Sequence, residues 1–306
     1  MKSRLYILAP NGNDFAEQQM SVLSGAYDEV LHINKVMPFS DLPLIADNCE
    51  KVFAIDPDFC DWNIPNSALD TRGLLAVCLD TTSYSWIDLE YAKGKGISVT
   101  NVRGWSTESV AEQSILIAMN LARKLPLLLQ NKMEINFETM RGAELRGKTA
   151  GIIGLGKIGT RIAELCAAFG MNVCYWSRKS QDDRFAKTEL ADVFKNADFI
   201  FPALSKNKDT EGIIKDLLLK SMKSGAIFTE ISDNFLYNHN LLLDMVKNNK
   251  IYGYGFEELH PKSYEGNILA VPPVAYYTTE AMNRNTAQWL DCIVGVKNSA
   301  AINKLN

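Results

Sequence analysis

The sequence predicts an α/β protein with a doubly wound parallel sheet and a second, smaller α/β unit. Short apolar runs typical of buried parallel strands alternate with amphipathic segments of helical period along most of the chain. A glycine-rich turn joins one of these strands directly to a helix, which is typical of such sheets. The length of 306 residues, of which 47% are hydrophobic, is enough for about two domains.

The first hundred residues are expected to form the smaller unit. Apolar strands are predicted at residues 5–9, 51–55 and 74–79, with polar helical segments between them. Beyond a loop near residue 101, apolar side chains recur with helical period over residues 107–125, which predicts an amphipathic helix. Ser109 and Glu112 have the spacing of a capping box, so the helix should begin within about one turn of them.

The rest of the chain alternates strand and helix patterns. Strands are predicted at 149–153, 171–176, 198–201, 226–231 and 251–256, and helices at 158–169, 190–196, 217–223 and 241–247. This alternation predicts a parallel sheet covered by helices on both faces. Ligands of such sheets bind beyond the carboxyl ends of the strands, so the loops that follow the strands should carry the site.

The glycine-rich turn contains Gly154, Gly156 and Gly159 between an apolar strand and a helical pattern. The first glycine permits a tight turn, the second lets the backbone approach a pyrophosphate, and the third lets the helix pack on the strand. Lys157 and Ile158 open the helix, whose unpaired amides and positive dipole end favour phosphate groups. The segment therefore predicts a dinucleotide-binding βαβ unit.

The choice of dinucleotide should be set at the end of the second strand of that unit. An acidic residue at this point would accept hydrogen bonds from the adenosine ribose. The chain has Ser177, Arg178 and Lys179 instead, a hydroxyl and two cations that suit a phosphate on that ribose. We therefore expect NADP to be preferred. NAD is the alternative, since charged residues are also common in solvated loops.

Composition limits the other partners. The net charge of minus 4, without a basic stripe, does not support nucleic acid or an anionic membrane, so a small-molecule substrate is expected. No apolar run is long enough for a membrane span or a signal peptide, which favours the cytoplasm. The six cysteines lack metal-ligand spacing and only three histidines are present, so we expect no metal site.

Three segments resemble the D-isomer-specific 2-hydroxyacid dehydrogenases, a family of NAD(P)-dependent oxidoreductases: residues 87–112, 144–159 and 222–228, within a match over about 74–282. The resemblance implies a Rossmann-type dinucleotide-binding domain at 99–278. This domain would be inserted into a flavodoxin-like substrate (catalytic) domain made of 1–98 and 279–306. It also implies a homodimer formed by the helix that begins near Thr107 and the arm after it.

The resemblance also assigns residues to roles. In relatives, the loop matching 81–85 holds the substrate carboxylate with backbone amides, and the acidic residue matching Glu257 contacts the nicotinamide amide. Arg103 stands where relatives often have proline, and we interpret it as an added cation facing the substrate; the alternative is a solvent-exposed side chain. The further cofactor-binding positions are Thr107 and Ile231, and the substrate-binding positions are Thr82, Ser83, Tyr84, Arg103 and Gly104.

The catalytic positions depart from the family pattern. Asp233 falls where relatives have the arginine that orients a 2-oxo acid, Pro273 where they have the general acid/base histidine, and Lys262 at or near the position of the glutamate that tunes it. A carboxylate repels a 2-oxo acid, and proline cannot transfer a proton. Ordinary 2-hydroxyacid chemistry is therefore not expected.

Two hypotheses account for this departure. In the first, the chain is an oxidoreductase with a remodelled site, in which Lys262 or His260 supplies the proton and the substrate is not a simple anion. An amine, an imine or a neutral carbonyl compound would fit such a site. In the second, the chain is a catalytically inactive protein of the same fold that binds the cofactor or acts as a scaffold.

Overall fold

The computed structural model describes residues 2–10, 15–43, 48–231 and 234–306. The chain divides into two compact units, unit 1 (Met1–Trp105 and Thr279–Asn306) and unit 2 (Ser106–Thr278). The first boundary lies after Trp105 rather than after residue 98. The reason is that Val99, Val102 and Trp105 are buried with the apolar clusters of unit 1.

The described part of the chain forms twelve strands and ten α-helices. The strands are β1 (Ser3–Leu8), β2 (Glu29–Ile33), β3 (Glu50–Ile55), β4 (Leu74–Leu79), β5 (Ser98–Thr100), β6 (Thr149–Ile153), β7 (Asn172–Trp176), β8 (Ala186–Lys187), β9 (Phe199–Pro202), β10 (Ile227–Thr229), β11 (Gly253–Glu257) and β12 (Ile268–Val271). The helices are α1 (Glu17–Ala26), α2 (Asn66–Leu69), α3 (Leu89–Gly94), α4 (Thr107–Ala122), α5 (Leu125–Gln130), α6 (Lys157–Ala168), α7 (Leu190–Asn196), α8 (Asp216–Lys220), α9 (His239–Lys247) and α10 (Thr279–Lys297).

Unit 1 is built on a parallel sheet of order β2-β1-β3-β4-β5, the strand order of flavodoxin-like folds. α10 completes its core from the far end of the chain. The indole of Trp289 is fully buried and donates a hydrogen bond to the Cys78 carbonyl, 2.9 Å away. The Leu305 amide donates to the Val99 carbonyl at 2.8 Å, so the last residues pair with the edge strand β5.

Unit 2 is built on a parallel sheet of order β12-β11-β10-β9-β6-β7-β8. One apolar layer packs α4 and α6 on one face of the sheet, and a second layer packs α7, α8 and α9 on the other. The predicted doubly wound α/β architecture is confirmed. The strand order reverses between β6 and β9, which is where such sheets open a crevice for a ligand.

Some predicted elements differ from the structure. The helix predicted at 107–125 ends at Ala122, because Lys124 adopts a left-handed conformation (φ 55°) before α5 begins. The capping box is wrong. Ser109 lies inside α4, and its hydroxyl donates to the Ser106 carbonyl at 3.0 Å instead of accepting from Glu112. The strands β2, β5, β8 and β12 were not predicted, since they are short or only partly buried.

No helix in the described residues combines the length and the apolar character needed to cross a membrane.

Candidate functional site

The glycine turn after β6 has the geometry that a pyrophosphate site needs. Gly154 has φ 98°, and a Cβ on it would lie 2.8 Å from the Ala203 carbonyl oxygen. Gly159 is tighter still, since its Cβ would lie 1.9 Å from the carbonyl oxygen of Gly154. A Cβ on Gly156, by contrast, would meet nothing within 4 Å. Two glycines are therefore required by packing, and the third faces open space, as close approach of a phosphate requires.

The N-terminus of α6 lies directly at this turn. Gly156 is its N-cap with an extended backbone (φ −82°), Lys157 is its exposed first residue and Ile158 is half-buried. The amides of the first helical turn have no acceptor within the helix, and the helix dipole places partial positive charge beside them. The residues present thus fit the phosphates of a dinucleotide.

The three residues predicted to hold the ribose phosphate follow β7, the neighbour of β6 in the sheet. The Ser177 hydroxyl accepts a hydrogen bond from the Ser180 amide at 3.2 Å. Arg178 and Lys179 are exposed, and the Arg178 guanidinium lies 3.7 Å from the carboxylate of the well-exposed Asp209. This contact is a weak surface ion pair that a phosphate group can displace.

Two carboxylates lie where β10 and β11 end, side by side on the same edge of the sheet. Glu230 follows β10 and is 2% exposed, while Ile231 beside it is buried in the apolar layer of α4 and α6. Glu257 ends β11, and its Oε1 accepts a hydrogen bond from the Ala275 amide at 2.9 Å. Burial raises the pKa of Glu257 to about 7, and the charge of Glu230 contributes to the rise. Asp233, the predicted replacement of the arginine, lies outside the described residues.

The other predicted catalytic residues lie in the connection from β11 to α10. His260 and Lys262 are exposed, and the Lys262 ammonium lies 5.2 Å from the ring centroid of Tyr264. Pro273 is also exposed, two residues before the alanine whose amide binds Glu257. The structure thus places Pro273 in the same short segment as the amide that binds Glu257, whereas His260 and Lys262 lie in an exposed part of the loop.

The predicted carboxylate loop of unit 1 follows β4. Its carbonyl groups are occupied: that of Thr82 accepts from the Asn101 side chain at 2.8 Å, and that of Ser83 accepts from the Thr81 hydroxyl and the Trp86 indole, both at 2.9 Å. The amides of residues 82, 83 and 84 donate to no group within the described ranges of the chain. Three consecutive amides at the carboxyl end of a strand are suited to an anion such as a carboxylate.

Arg103 makes its hydrogen bonds within unit 1. Its Nε donates to the Asn101 side chain at 2.9 Å, and its Nη2 reaches the carbonyl groups of Asn303 and Lys304 at 3.5 and 3.4 Å. The guanidinium of this exposed residue therefore contacts the C-terminal segment of unit 1, and its contact with a substrate stays a prediction. Gly104 follows with φ 71°, and Thr107 is the first residue of α4 in unit 2.

A set of polar residues that the sequence did not reveal lies behind Glu230. The Tyr237 hydroxyl donates to Glu230 Oε2 at 3.2 Å, the hydroxyls of Tyr237 and Tyr254 are 2.6 Å apart, and the Tyr254 hydroxyl lies 2.8 Å from Nδ1 of His239. The one available signal was a tyrosine at an inward position of the strand β11, where apolar residues are usual. Among the described residues, no three His, Cys, Asp or Glu side chains are grouped so as to hold a metal ion.

The glycine turn, the α6 N-terminus and the carboxylates on one edge of a doubly wound sheet define a Rossmann-type dinucleotide-binding protein. Residues 115–275 match the family model for the D-isomer specific 2-hydroxyacid dehydrogenase, NAD binding domain. The hydroxypyruvate reductase of Thermotoga maritima is 32% identical over 212 residues, which cover 65% of this chain and 69% of the relative. A protein of Staphylococcus aureus (strain MRSA252) named as a 2-hydroxyacid dehydrogenase is 30% identical over 237 residues, 72% of this chain and 75% of the relative.

The chain belongs to the D-isomer-specific 2-hydroxyacid dehydrogenase family. Membership supports an NAD(P)-dependent oxidoreductase that uses a nicotinamide cofactor and a small-molecule substrate. Solved structures share the whole fold at low identity. An acyclic imino acid reductase in complex with NADPH and D-Arg superposes with a TM-score of 0.82 at 21% identity, covering 99% of this chain and 100% of the other. D-lactate dehydrogenase with NAD+ from Lactobacillus jensenii gives 0.81 at 20% identity, covering 99% of each chain.

Proposed function

We propose that the chain is an NADP-linked oxidoreductase that reduces the imine bond of a carboxylate-bearing substrate, an α-imino acid, rather than the carbonyl of a 2-oxo acid. The observation that carries this proposal is the pair of carboxylates, Glu230 and Glu257, that end the adjacent strands β10 and β11. An α-imino acid combines a carboxylate with a nitrogen that becomes cationic on protonation. Carboxyl groups at this edge of the sheet favour the cation.

Unit 1, taken by itself, carries a candidate binding site for a carboxylate. The amides of residues 82, 83 and 84 have no acceptor within the described chain and match the needs of an anion. A simple 2-oxo acid would use these amides equally well. Its carbonyl oxygen, however, does not become cationic near neutral pH, so the second carboxylate of the pair, Glu230, would have no positive charge to stabilise.

The proton balance of the reaction fits the same residues. Reduced nicotinamide supplies a hydride when it is bound, and reduction of a neutral imine to a neutral amine consumes one further proton. The raised pKa of Glu257, about 7, lets this carboxyl group hold a proton at neutral pH. We therefore assign Glu257 as proton donor to the imine nitrogen, a role that differs from the contact with the nicotinamide amide implied by the resemblance. Lys262 and His260 are not assigned this role, because their side chains are exposed in a loop. Once ionised, the carboxylate stabilises the cationic nitrogen.

NADP is assigned over NAD because of the residues after β7. Arg178, Lys179 and the Ser177 hydroxyl offer two charges and a hydrogen-bonding group to a ribose phosphate, and no carboxylate at this point serves the ribose hydroxyls of NAD. The acyclic imino acid reductase of the same fold was solved with NADPH, which supports the compatibility of this fold with both the cofactor and the imine chemistry.

A homodimer is part of the same proposal. Apolar side chains are exposed along α4 and the arm after it, and a patch of this kind is rare on a monomer. Phe137 is 83% exposed and Ile135 is 60% exposed. The other members of this patch, which we call the arm patch, are Leu116, Met119, Leu129 and Met133. A second copy of the chain is the proposed occupant.

The proposal is tested by initial rates of NADPH oxidation with pyruvate or glyoxylate, in the presence and absence of methylamine, which forms the imine in solution. We expect turnover only when the amine is present, and slower turnover with NADH. Equal rates with and without the amine would refute the imine substrate and indicate a 2-oxo acid reductase. NADPH binding without oxidation by any of these mixtures would indicate a cofactor-binding protein instead. A Gly156→Val variant serves as the control without cofactor.

A further inference from the structure

A hydrogen-bonded chain of four side chains runs through the interior of unit 2 from the N-terminus of α9 to the carboxyl end of β10. In order, it consists of His239, Tyr254, Tyr237 and Glu230, joined by distances of 2.8, 2.6 and 3.2 Å. The two tyrosines and the glutamate are buried, whereas His239 is half-buried and begins α9. The chain therefore connects a partly solvated imidazole to a carboxylate on the proposed cofactor edge of the sheet.

The direction of these hydrogen bonds follows from the chemistry of the groups. An ionised carboxylate can only accept, so Tyr237 donates its proton to Glu230. Each tyrosine has a single hydroxyl proton, so the Tyr237 oxygen accepts from Tyr254, and the Tyr254 oxygen accepts from Nδ1–H of His239. All donors point from the imidazole towards Glu230, which is the arrangement that allows a stepwise transfer of protons.

We propose that His239, Tyr254, Tyr237 and Glu230 form a proton relay that supplies the proton consumed when the substrate is reduced. This inference rests on the proposed reductase function. Starting from an imidazolium, the Nδ1–H bond of His239 breaks and its proton passes to Tyr254, whose own proton passes to Tyr237, whose proton passes to Oε2 of Glu230. The products are a neutral imidazole protonated at Nε2, two neutral tyrosines and a neutral carboxylic acid. A hydronium ion from solvent then protonates the imidazole again, after the ring and the two hydroxyl groups have turned back to their starting orientations.

The surroundings of the relay favour transfer without charged tyrosine intermediates. Phe228 and Phe256 pack against it, with the Phe256 ring centroid 4.7 Å from that of Tyr254 and 4.6 Å from that of His239. Burial raises the pKa of both tyrosine hydroxyls well above the ordinary value, so they stay neutral. Burial lowers the pKa of His239, which makes the imidazolium a readier donor.

The charged groups that face His239 come from the segment after β11. The carboxylate of Glu258 raises the pKa of the imidazole, and the ammonium of Lys262 lowers it. At the other end of the relay, Glu230 acts electrostatically on Glu257, the carboxyl group proposed to protonate the substrate. A proton that reaches Glu230 returns the two carboxyl groups to a single negative charge, and its transfer to Glu257 then restores the protonated donor after each turnover.

The first test needs neither cofactor nor substrate. Labelled histidine in the full chain gives three imidazole signals in nuclear magnetic resonance, since the protein has only three histidines. We expect Glu230→Gln to lower the pKa of His239 by about half a unit or more, because the hydrogen-bonded hydroxyls then no longer lead from the imidazole to a carboxylate and polarise one another less. In a Tyr254→Phe background most of this shift should disappear. If the shift is the same with and without the Tyr254 hydroxyl, the coupling acts through space and the relay is refuted.

The second test measures turnover with NADPH, pyruvate and methylamine. Tyr254→Phe keeps the ring and removes the hydroxyl, so kcat should fall about 10²-fold while KM for NADPH stays within about twofold. The matched control is Tyr252→Phe, whose hydroxyl donates to the carbonyl groups of Ala122 and Arg141 outside the relay. His239→Ala should lose kcat similarly, and added imidazole should restore it, which a purely structural histidine would not show.

The outcomes separate this inference from the proposed function. Equal kcat values for Tyr254→Phe and Tyr252→Phe, with active wild-type protein, refute the relay and leave the reductase intact. Absence of wild-type turnover with every mixture refutes the proposed function, and the histidine titration then still decides whether the four groups are coupled.

Discussion

The clearest prediction concerns two glycines of the same turn: a substitution at one should weaken cofactor binding but leave stability nearly unchanged, and a substitution at the other should lower stability. Gly156 has an extended backbone that any residue can adopt, and a Cβ there meets nothing within 4 Å. Replacement by valine should therefore change the free energy of unfolding by less than about 1 kcal/mol, since a weaker N-cap is offset by the lower entropy of the unfolded chain. The added side chain instead occupies the space that a pyrophosphate needs.

Gly159 provides the contrast. The methyl group of Gly159→Ala would lie 1.9 Å from the Gly154 carbonyl oxygen, so the turn or α6 has to move by more than an ångström. We expect a loss of about 3 kcal/mol, as for overpacked cores, which corresponds to a fall of about 6–12 °C in the Tm of unit 2.

The assay combines scanning calorimetry with titration of NADPH fluorescence. Gly156→Val should unfold at the wild-type temperature and bind NADPH at least about 10²-fold more weakly, a loss of about 2.7 kcal/mol. Gly159→Ala should unfold at a lower temperature. If folded Gly156→Val bound NADPH with the wild-type Kd, the phosphates would not lie at this turn and the assignment of the cofactor site would be wrong.

Three further predictions concern the ribose phosphate, the carboxyl group of Glu257 and the arm patch. In parallel titrations, Arg178→Ala should weaken the binding of NADPH about tenfold and change that of NADH little, whereas Asp209→Asn should strengthen NADPH binding because it frees the guanidinium. Equal effects on both cofactors would contradict the ribose-phosphate assignment. The pKa of Glu257 is raised from 4.5 to about 7 in the folded protein, so the folded state holds more protons and its free energy of unfolding should fall as pH rises from about 4.5 to about 7. Chemical denaturation of Glu257→Gln across this pH range should show a smaller fall, and a fall equal to that of the wild type would contradict the raised pKa. In light scattering, Phe137→Asp should convert the dimer to a monomer, while Phe169→Asp, at an exposed position at the C-terminal end of α6, should leave it a dimer. A monomeric wild-type protein would refute the arm patch as an interface.

Much of the fold could be predicted because its signals are local. The strand β6 and the helix α7 have the predicted bounds, since an apolar run and a helical period each lie within a few residues. Elements were not predicted correctly where their structure depends on contacts that form only in the folded protein. β8 is only two exposed residues long and forms by pairing with β7, and Ser109 bonds back to the Ser106 carbonyl once the helix exists.

The candidate site divides in the same way. The glycine turn is one short segment of sequence and the residues after β7 are another, so each could be recognised from its own residues and their spacing. The partners of the relay are 7, 17 and 15 residues apart in the chain, and they meet only when β11 pairs with β10 and the start of α9 packs beside them. Arg103 illustrates the same limit, because its acceptors Asn303 and Lys304 are about two hundred residues away.

The position of Trp289 in the core of unit 1 has a consequence for biosynthesis. The first hundred residues leave the ribosome early, yet their sheet lacks α10 until about 170 more residues have been made, which takes about 10–30 s at ordinary elongation rates. Unit 2 is continuous and can mature during this interval. The nascent chain therefore exposes an unfinished apolar sheet for many seconds, which makes unit 1 the part that depends most on chaperones during translation.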